Sequence, residues 1–510
     1  MNRFMSFRVV GLLFMFTASS FVIFSQSHDK ILSVSPEKRS ALEYLEKSET
    51  IEKYGRISDA IWSYAELGLE EFRSASLLAG TLEDAGFNVE TGLAGMPTCF
   101  VATYGSGKPV IGILVEYDAL PMISQQGRIP HREPVIEGAP GHGCGHNMMG
   151  TASISAAIAV KQAMEKHRIK GTIRVFGSPA EENLISRPFM IRAGLFDDVD
   201  AVIDNHSSSG FSTAYGVSGS ALISTIFTFK GVTAHSGGSP WSGRSALDAV
   251  EIMNVATNYL REHLHYSHRM HYVILEGGHV PNVVPDKASV WYYVRNSDER
   301  IEEMQERVVN CARAAALATG TELDEVRVIG AIHQRHSNKA LAELFQRNIE
   351  LVGMPEWDEE EQDFARQLQE NLGTQVRGMP EKVDSLRPPG LFVGGGSSDV
   401  GDVTLITPTA TIRFPGVVPG AISHHWSTVS STYGSAAWKG LNAGARAIAA
   451  SAIDLFTIPE ELEKARKEFD EYSEMNPYRS FLPEDAVPFL ELNRQQMDKY
   501  RPMLREHYPD

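Results

Sequence analysis

Cysteine is nearly missing from this chain: Cys99, Cys144 and Cys311 are the three among 510 residues. Three cannot form a disulfide framework, and an odd number leaves at least one thiol unless chains cross-link. Basic residues are outnumbered, 47 Lys and Arg against 64 Asp and Glu, for a net charge of −17. That balance argues against non-specific binding to nucleic acid or anionic lipid, since both reward a basic face. No nucleic-acid motif, internal repeat or low-complexity tract occurs. Hydrophobic residues at 43% and charged residues at 22% exclude disorder and a membrane bundle. What remains is a large globular protein, long enough for two to four domains.

The one long apolar run, residues 9–24, follows Arg3 and Arg8 and is broken only by small or hydroxylated residues. It is shorter than the ~20 residues of a membrane span and suits a secretory signal. Residues 1–25 are therefore expected to be a signal peptide, cut between 20 and 26, with an uncleaved anchor as the alternative. Export to a periplasmic or secreted location follows, without stable membrane insertion after cleavage. The absence of cysteine there argues against a lipoprotein anchor.

Helical periodicity fills residues 35–85, with Ser35 and Pro36 suited to a cap and first helical position. The nearly continuous apolar run 109–116 fits a strand buried on both faces. Residues 151–165 fit a helix packed on it, and 172–177 and 201–204 are further short strands. This alternation predicts an α/β fold with a mixed, mostly parallel sheet covered by helices. From 217 to 330 the order becomes βαββαβ, a unit with its own small sheet. The expected organisation is a first catalytic part at 36–216, an inserted domain at 217–330, a second catalytic part at 331–455, and a charged helical extension at 456–510, read as a surface appendage or, through Tyr478, Phe481, Phe489 and Leu490, as a cover for a partner or the active-site mouth. The acidic stretch 357–363 fits the first turn of a helix.

Chemistry-bearing residues collect at predicted strand ends, where ligands sit in open α/β sheets. Glu116-Tyr-Asp118 ends one strand, Glu181-Glu182 the next, and Asp204-Asn-His206 a third. Before the helix at 151 lies Gly141-His-Gly-Cys-Gly-His-Asn147, a glycine-rich loop carrying His142, Cys144 and His146. Imidazole, thiolate and carboxylate at one sheet edge point to a metal. Adjacent glutamates can divide the work, one ligating while the other takes a proton from water. Other signals are weaker. Gly216-Val-Ser-Gly-Ser220 lacks the last glycine of a nucleophile elbow. Gly105-Ser-Gly-Lys108 lacks the first glycine and the Ser/Thr of a phosphate loop. His263, His265, His268 and His271 read as the polar end of the inserted unit's first helix.

Five segments taken in order, around Cys144 and His146, Glu181-Glu182, Thr-Ala-His235-Ser-Gly-Gly, Val-Pro-Asn282-Val-Val-Pro and Gly-Ser-Ser-Asp399-Val-Gly-Asp402, resemble the dinuclear metallo-amidohydrolases related to carboxypeptidase G and aminoacylase. Within that family the resemblance is to the p-aminobenzoyl-glutamate and indole-acetyl-amino-acid hydrolases, over about residues 45–470. It implies a catalytic domain interrupted by a lid that also dimerises, as a homodimer or a hetero-oligomer. It also implies two divalent metal ions per chain, Mn or Zn, held by Cys144, His146, Glu182, His206 and a late histidine. His424, in His424-His-Trp426, matches that histidine, with His425 as the competing choice. Glu181 matches the general base, Asp118 an acid that orients the metal residues, and His142 a supporting position. His235 matches a lid histidine that reaches across the dimer to the oxyanion, and Asn282 and Arg295 match substrate-holding lid positions. The activity implied is metal-dependent hydrolysis of the amide of N-acyl- or aroyl-amino acids. A dipeptidase and a catalytically silent exported binding protein are the rival expectations.

Overall fold

The computed structural model describes residues 34–391 and 394–508; the signal-peptide reading of residues 1–25 lies outside them. The chain enters α1 (Pro36–Leu45) where the Ser35 hydroxyl accepts the Lys38 N–H at 3.2 Å and Pro36 fills the first turn. Helices α2 (Ser48–Tyr64) and α3 (Phe72–Asp84) follow. Then come β1 (Asn88–Thr91) and β2 (Phe100–Ser106), an antiparallel pair that the sequence pattern did not announce. β1 is four residues long and mostly solvent-facing, so it has no buried alternation to read.

Next are β3 (Val110–Val115), α4 (His146–His167), β4 (Gly171–Gly177), α5 (Ser186–Arg192), β5 (Ala201–Ser207) and β6 (Ser212–Thr213). Short β7 (Gly216–Ser218) leads into the inserted unit: β8 (Ala221–Lys230), α6 (Ala246–Leu260), β9 (Arg269–Glu276), β10 (Lys287–Asn296), α7 (Asp298–Thr319) and β11 (Glu322–Ile332). These four strands form one antiparallel sheet in the order β11-β8-β10-β9. The chain returns through β12 (Arg335–Ser337), paired with β7, to α8 (Lys339–Val352), α9 (Glu359–Leu372), α10 (Val400–Thr404), β13 (Thr409–Phe414), α11 (Trp426–Ser431) and α12 (Ser435–Thr457). It ends in α13 (Pro459–Met475) and α14 (Arg494–His507).

The main sheet runs β1-β2-β4-β3-β5-β13-β6. Its four central strands are parallel and its edges antiparallel, which is the mixed α/β fold expected. β3 is central and buried throughout. Its side chains alternate between two cores: Ile111, Ile113 and Val115 face the core shared with α4 and α12, while Val110 and Leu114 face the one continuing through α5 into the inserted unit. Helix α4 is buried without a break from His146 to Val160. Gly150 permits that approach, since a Cβ there would stand 2.6 Å from the Glu116 carbonyl oxygen.

Three expectations need correction. Helix α4 begins at His146 rather than near Thr151, because Gly145 adopts a left-handed φ of 83° as its cap. The first helix of the inserted unit ends at Leu260 and a 3-10 turn carries it to His263, so His265, His268 and His271 do not extend it; His271 lies on β9. The C-terminal extension is more than a surface appendage. Leu482, Met497 and Leu504 are buried, and Tyr478 donates to the buried Asp402 at 2.9 Å. The acidic stretch does open a helix: Asp358 and Glu361 form a reciprocal capping box on α9.

Candidate metal centre

The carboxyl ends of β3, β4 and β5 each deliver acidic or imidazole groups to one place. Beyond β3, Glu116 and Asp118 are both buried. Beyond β4, the turn holding Glu181 and Glu182 is flanked by Ala180 and Leu184 at left-handed φ of 54° and 60°. Non-glycine residues adopt that conformation at a cost of about 1–3 kcal/mol, and only where surroundings impose it. Glu71 imposes part of it by accepting the Ala180 N–H at 2.7 Å and the Thr98 hydroxyl at 2.8 Å. Burial and the neighbouring Asp118 push Glu71 up to about 8.

His206 ends β5, and its Nδ1 donates to the Ser207 carbonyl at 2.6 Å, leaving Nε2 3.4 Å from Cys144 Sγ. Gly145, between Cys144 and His146, cannot carry a side chain: a Cβ would lie 2.4 Å from Ser207 Oγ. His146 directs Nδ1 at Asp118 Oδ1, 2.8 Å away, and the other Asp118 oxygen accepts the Glu182 N–H at 2.9 Å. His146 Nε2 then faces Glu116 at 3.4 Å, Glu181 at 3.8 Å and Glu182 at 3.9 Å. His424, at a left-handed φ of 58°, sets Nε2 3.3 Å from Glu182 Oε2.

Three overlapping sets of potential ligand atoms result, each within 4.8 Å: Cys144, His146 and His206; Cys144, Glu182 and His424; Glu116, His146 and Glu181. Buried His146 Nε2 and Glu182 Oε1 have no hydrogen-bond partner. Lone pairs so placed, with a thiol and several carboxylates around them, fit divalent metal ions. Burial pushes Glu182 up to about 8 despite His146, with Asp118 and Glu116 adding to the rise. Glu181 is raised well above the ordinary carboxylate range by burial and by Glu116. Burial pushes the Cys144 thiol up to about 12, so metal binding there is coupled to proton release.

The remaining residues singled out in the sequence fall elsewhere. His142 is buried and bonds through Nε2 to the Ile61 carbonyl at 3.1 Å, pinning the glycine-rich loop to α2; burial lowers it to about 3. His425 caps α11 rather than joining the three sets. Arg295, half-buried on β10, donates to Ser397 Oγ at 2.8 Å, and the charge of Glu181 reaches it. His235 is exposed, its Nδ1 accepting from the Gly237 and Gly238 N–H groups, and its backbone is bridged to Val283 beside Asn282. His235 joins none of the ligand sets found among the described residues.

Sequence reading gave no role to the ion network beneath the site. Arg187, fully buried, pairs with Glu116 at 2.7 Å and with Asp399. Asp399 also accepts the Arg187 N–H at 3.0 Å. Asp399 had the signal of its motif; Arg187 had none, because its partners are remote in sequence.

Residues 112–425 match the sequence profile of peptidase family M20/M25/M40. The chain is 37% identical over 463 residues to one of the subunits of p-aminobenzoyl-glutamate hydrolase of Escherichia coli (strain K12), across 86% of this chain and 96% of that protein. Its fold is similar to that of an aminobenzoyl-glutamate utilization protein from Klebsiella pneumoniae, with TM-score 0.57, 19% identity, and 81% and 97% of the two chains covered. A dinuclear metal-binding M20 peptidase from Bacillus subtilis is similar in fold at TM-score 0.50 and 17% identity, covering 80% and 99%.

Proposed function

The chain belongs to peptidase family M20/M25/M40, and from that premise we propose that its buried cluster hydrolyses N-acyl- or aroyl-amino acids of the p-aminobenzoyl-glutamate kind. It is an amidohydrolase, a hydrolase acting on amide bonds. Cys144, His146, Glu182, His206 and His424 would hold two divalent ions, Mn or Zn; the thiolate suits zinc and the subgroup resemblance suits manganese. The observation that carries this assignment is a pair of buried ligand atoms without a hydrogen bond, His146 Nε2 and Glu182 Oε1, facing each other across 3.9 Å beside the remaining donors.

Bound metal supplies Lewis acidity to the scissile carbonyl and lowers the pKa of a water. Glu181, adjacent to Glu182 and 3.8 Å from His146 Nε2, would take that water's proton and return it to the leaving amine. Asp118 fixes the His146 tautomer so that Nε2 faces the cluster. Arg295 faces the site from the inserted unit, which acts as a lid, and suits a substrate carboxylate. His235, exposed on a lid loop, serves the site of a second copy by stabilising the oxyanion, and Asn282 holds substrate from the lid. The apolar exposure of Ile252, Val255 and Tyr259 on α6 supports association through the lid. Export rests on the N-terminal apolar run.

The test is a panel of p-aminobenzoyl-glutamate, N-acyl-amino acids, indole-acetyl conjugates and dipeptides, offered to metal-analysed protein with Mn or Zn. Chelator-sensitive cleavage of the acylated compounds is expected. Cleavage of unblocked dipeptides alone would replace the reading with a dipeptidase.

A further inference from the structure

A cavity of about 490 Å³ opens beside Glu182, between the strand ends of the catalytic body and the lid sheet. Its size is that of a small-molecule pocket, and most of its lining is aliphatic or aromatic. The lid's contribution follows from strand alternation. On β10 the residues Ala288, Val290, Tyr292 and Val294 are buried in the lid core, so Trp291, Tyr293 and Arg295 share the opposite face. Arg295 lies within electrostatic reach of Glu181, whereas Tyr293 and Trp291 line the cavity. From Arg295 to Trp291 the strand advances about 13 Å, leading from the hydrolytic cluster into the apolar space.

The third wall comes from the C-terminal segment, through Phe489 and Leu492. That segment is anchored on every side. Asn493 Nδ2 donates to the Gly68 carbonyl at 2.9 Å and to Asn183 Oδ1 at 3.1 Å, and Asn183 is the residue after Glu182. Arg192 donates to the carbonyls of Leu482, Pro483 and Ala486 at 3.2, 2.7 and 3.0 Å. From the lid, the Arg327 guanidinium lies 4.8 Å from the centre of the Phe489 ring. Such a fixed wall is suited to select shape, because little ordering remains to be done on binding.

We propose that this cavity receives the acyl half of the substrate, and that Phe489 and Leu492 select an aromatic acyl group over a small aliphatic one. The assignment rests on the amidohydrolase reading and adds to it the residues that set specificity. Aromatic faces at Trp291, Tyr293 and Phe489 offer a flat ring both apolar area and edge or stacking contacts, while an acetyl group fills little of the space.

The test measures binding by calorimetry in metal-loaded full-length Glu181→Gln protein, so that neither ligand is consumed. p-Aminobenzoyl-glutamate and N-acetyl-glutamate share the amino acid and differ in the acyl group. Phe489→Ala is expected to weaken the aromatic ligand roughly 10-fold more than the acetyl one. Leu492→Trp, which fills the cavity instead of enlarging it, is expected to shift the ratio in the same direction. Equal changes for both ligands, or none, overturn the proposal. If the unsubstituted metal-loaded chain cleaves neither compound, the amidohydrolase reading fails, and the binding ratio still decides the cavity.

Discussion

His146 Nδ1 and Asp118 Oδ1 stand 2.8 Å apart with both side chains fully buried, and the second Asp118 oxygen holds the Glu182 N–H. One carboxylate thereby orients groups from the ends of two different strands. Asp118→Asn keeps the shape and loses the charge. It is expected to lower metal affinity ~10–100-fold with little change in melting temperature, as read by metal titration and thermal denaturation.

Arg187 has no exposure and serves the carboxylates of Glu116 and Asp399. Arg187→Met removes the cation and leaves two buried acids without their partner. Breaking a buried network in this way costs about 3–5 kcal/mol. Urea unfolding of the variant should show that loss; an unchanged midpoint would mean the network contributes nothing.

His424 and His425 are adjacent but placed for different work. His424 Nε2 faces Glu182, whereas His425 Nδ1 accepts the Ser427 N–H at 3.4 Å and caps α11. His424→Ala should lower metal content. His425→Ala should keep the metal and lose about 1 kcal/mol or less of stability. The reverse pattern would exchange the two assignments.

Burial raises Asp402 from 3.8 to about 6, against His333 and the hydrogen bonds that lower it. Because the folded value exceeds the unfolded one, the folded state binds more protons between these values. The stability this group contributes is present below pH ~4 and lost as pH rises through 6. Asp402→Asn should therefore gain on the unsubstituted protein by up to about 3 kcal/mol between pH 4 and 7. Chemical unfolding across that range measures it, and a difference that stays flat with pH would show that Asp402 does not titrate there.

The fold class was legible because β3 is a nearly continuous apolar run closed by Glu116, β5 opens on a short apolar run closed by Asp204, and β8 to β11 alternate with two amphipathic helices. Glu181, Glu182 and His206 could be singled out because each sits in a short motif at a strand end, and Cys144 and His146 because they alternate with glycines in the loop that opens α4. The supporting groups were not legible. Arg187 meets Asp399 across 212 residues, and Glu71 meets Ala180 across 109. No local pattern encodes such pairings. Phe489 stood out as an aromatic residue in an extension suited to cover a partner or the active-site mouth, whereas Leu492 gains meaning only once that segment folds back over Asn183. β1 and β2 escaped notice for the opposite reason: β1 is too short and too exposed to carry a periodic signal.

The proposed chemistry stands or falls on Glu181 moving the proton in metal-dependent amide hydrolysis while Glu182 and its neighbours hold the metal. The decisive comparison is of metal content and p-aminobenzoyl-glutamate turnover in the unsubstituted protein and in Glu181→Gln. Equal metal content in both is expected, with loss of nearly all turnover in the variant. A variant that stays fully active, or one that loses its metal along with its activity, would contradict the division of labour between the two glutamates.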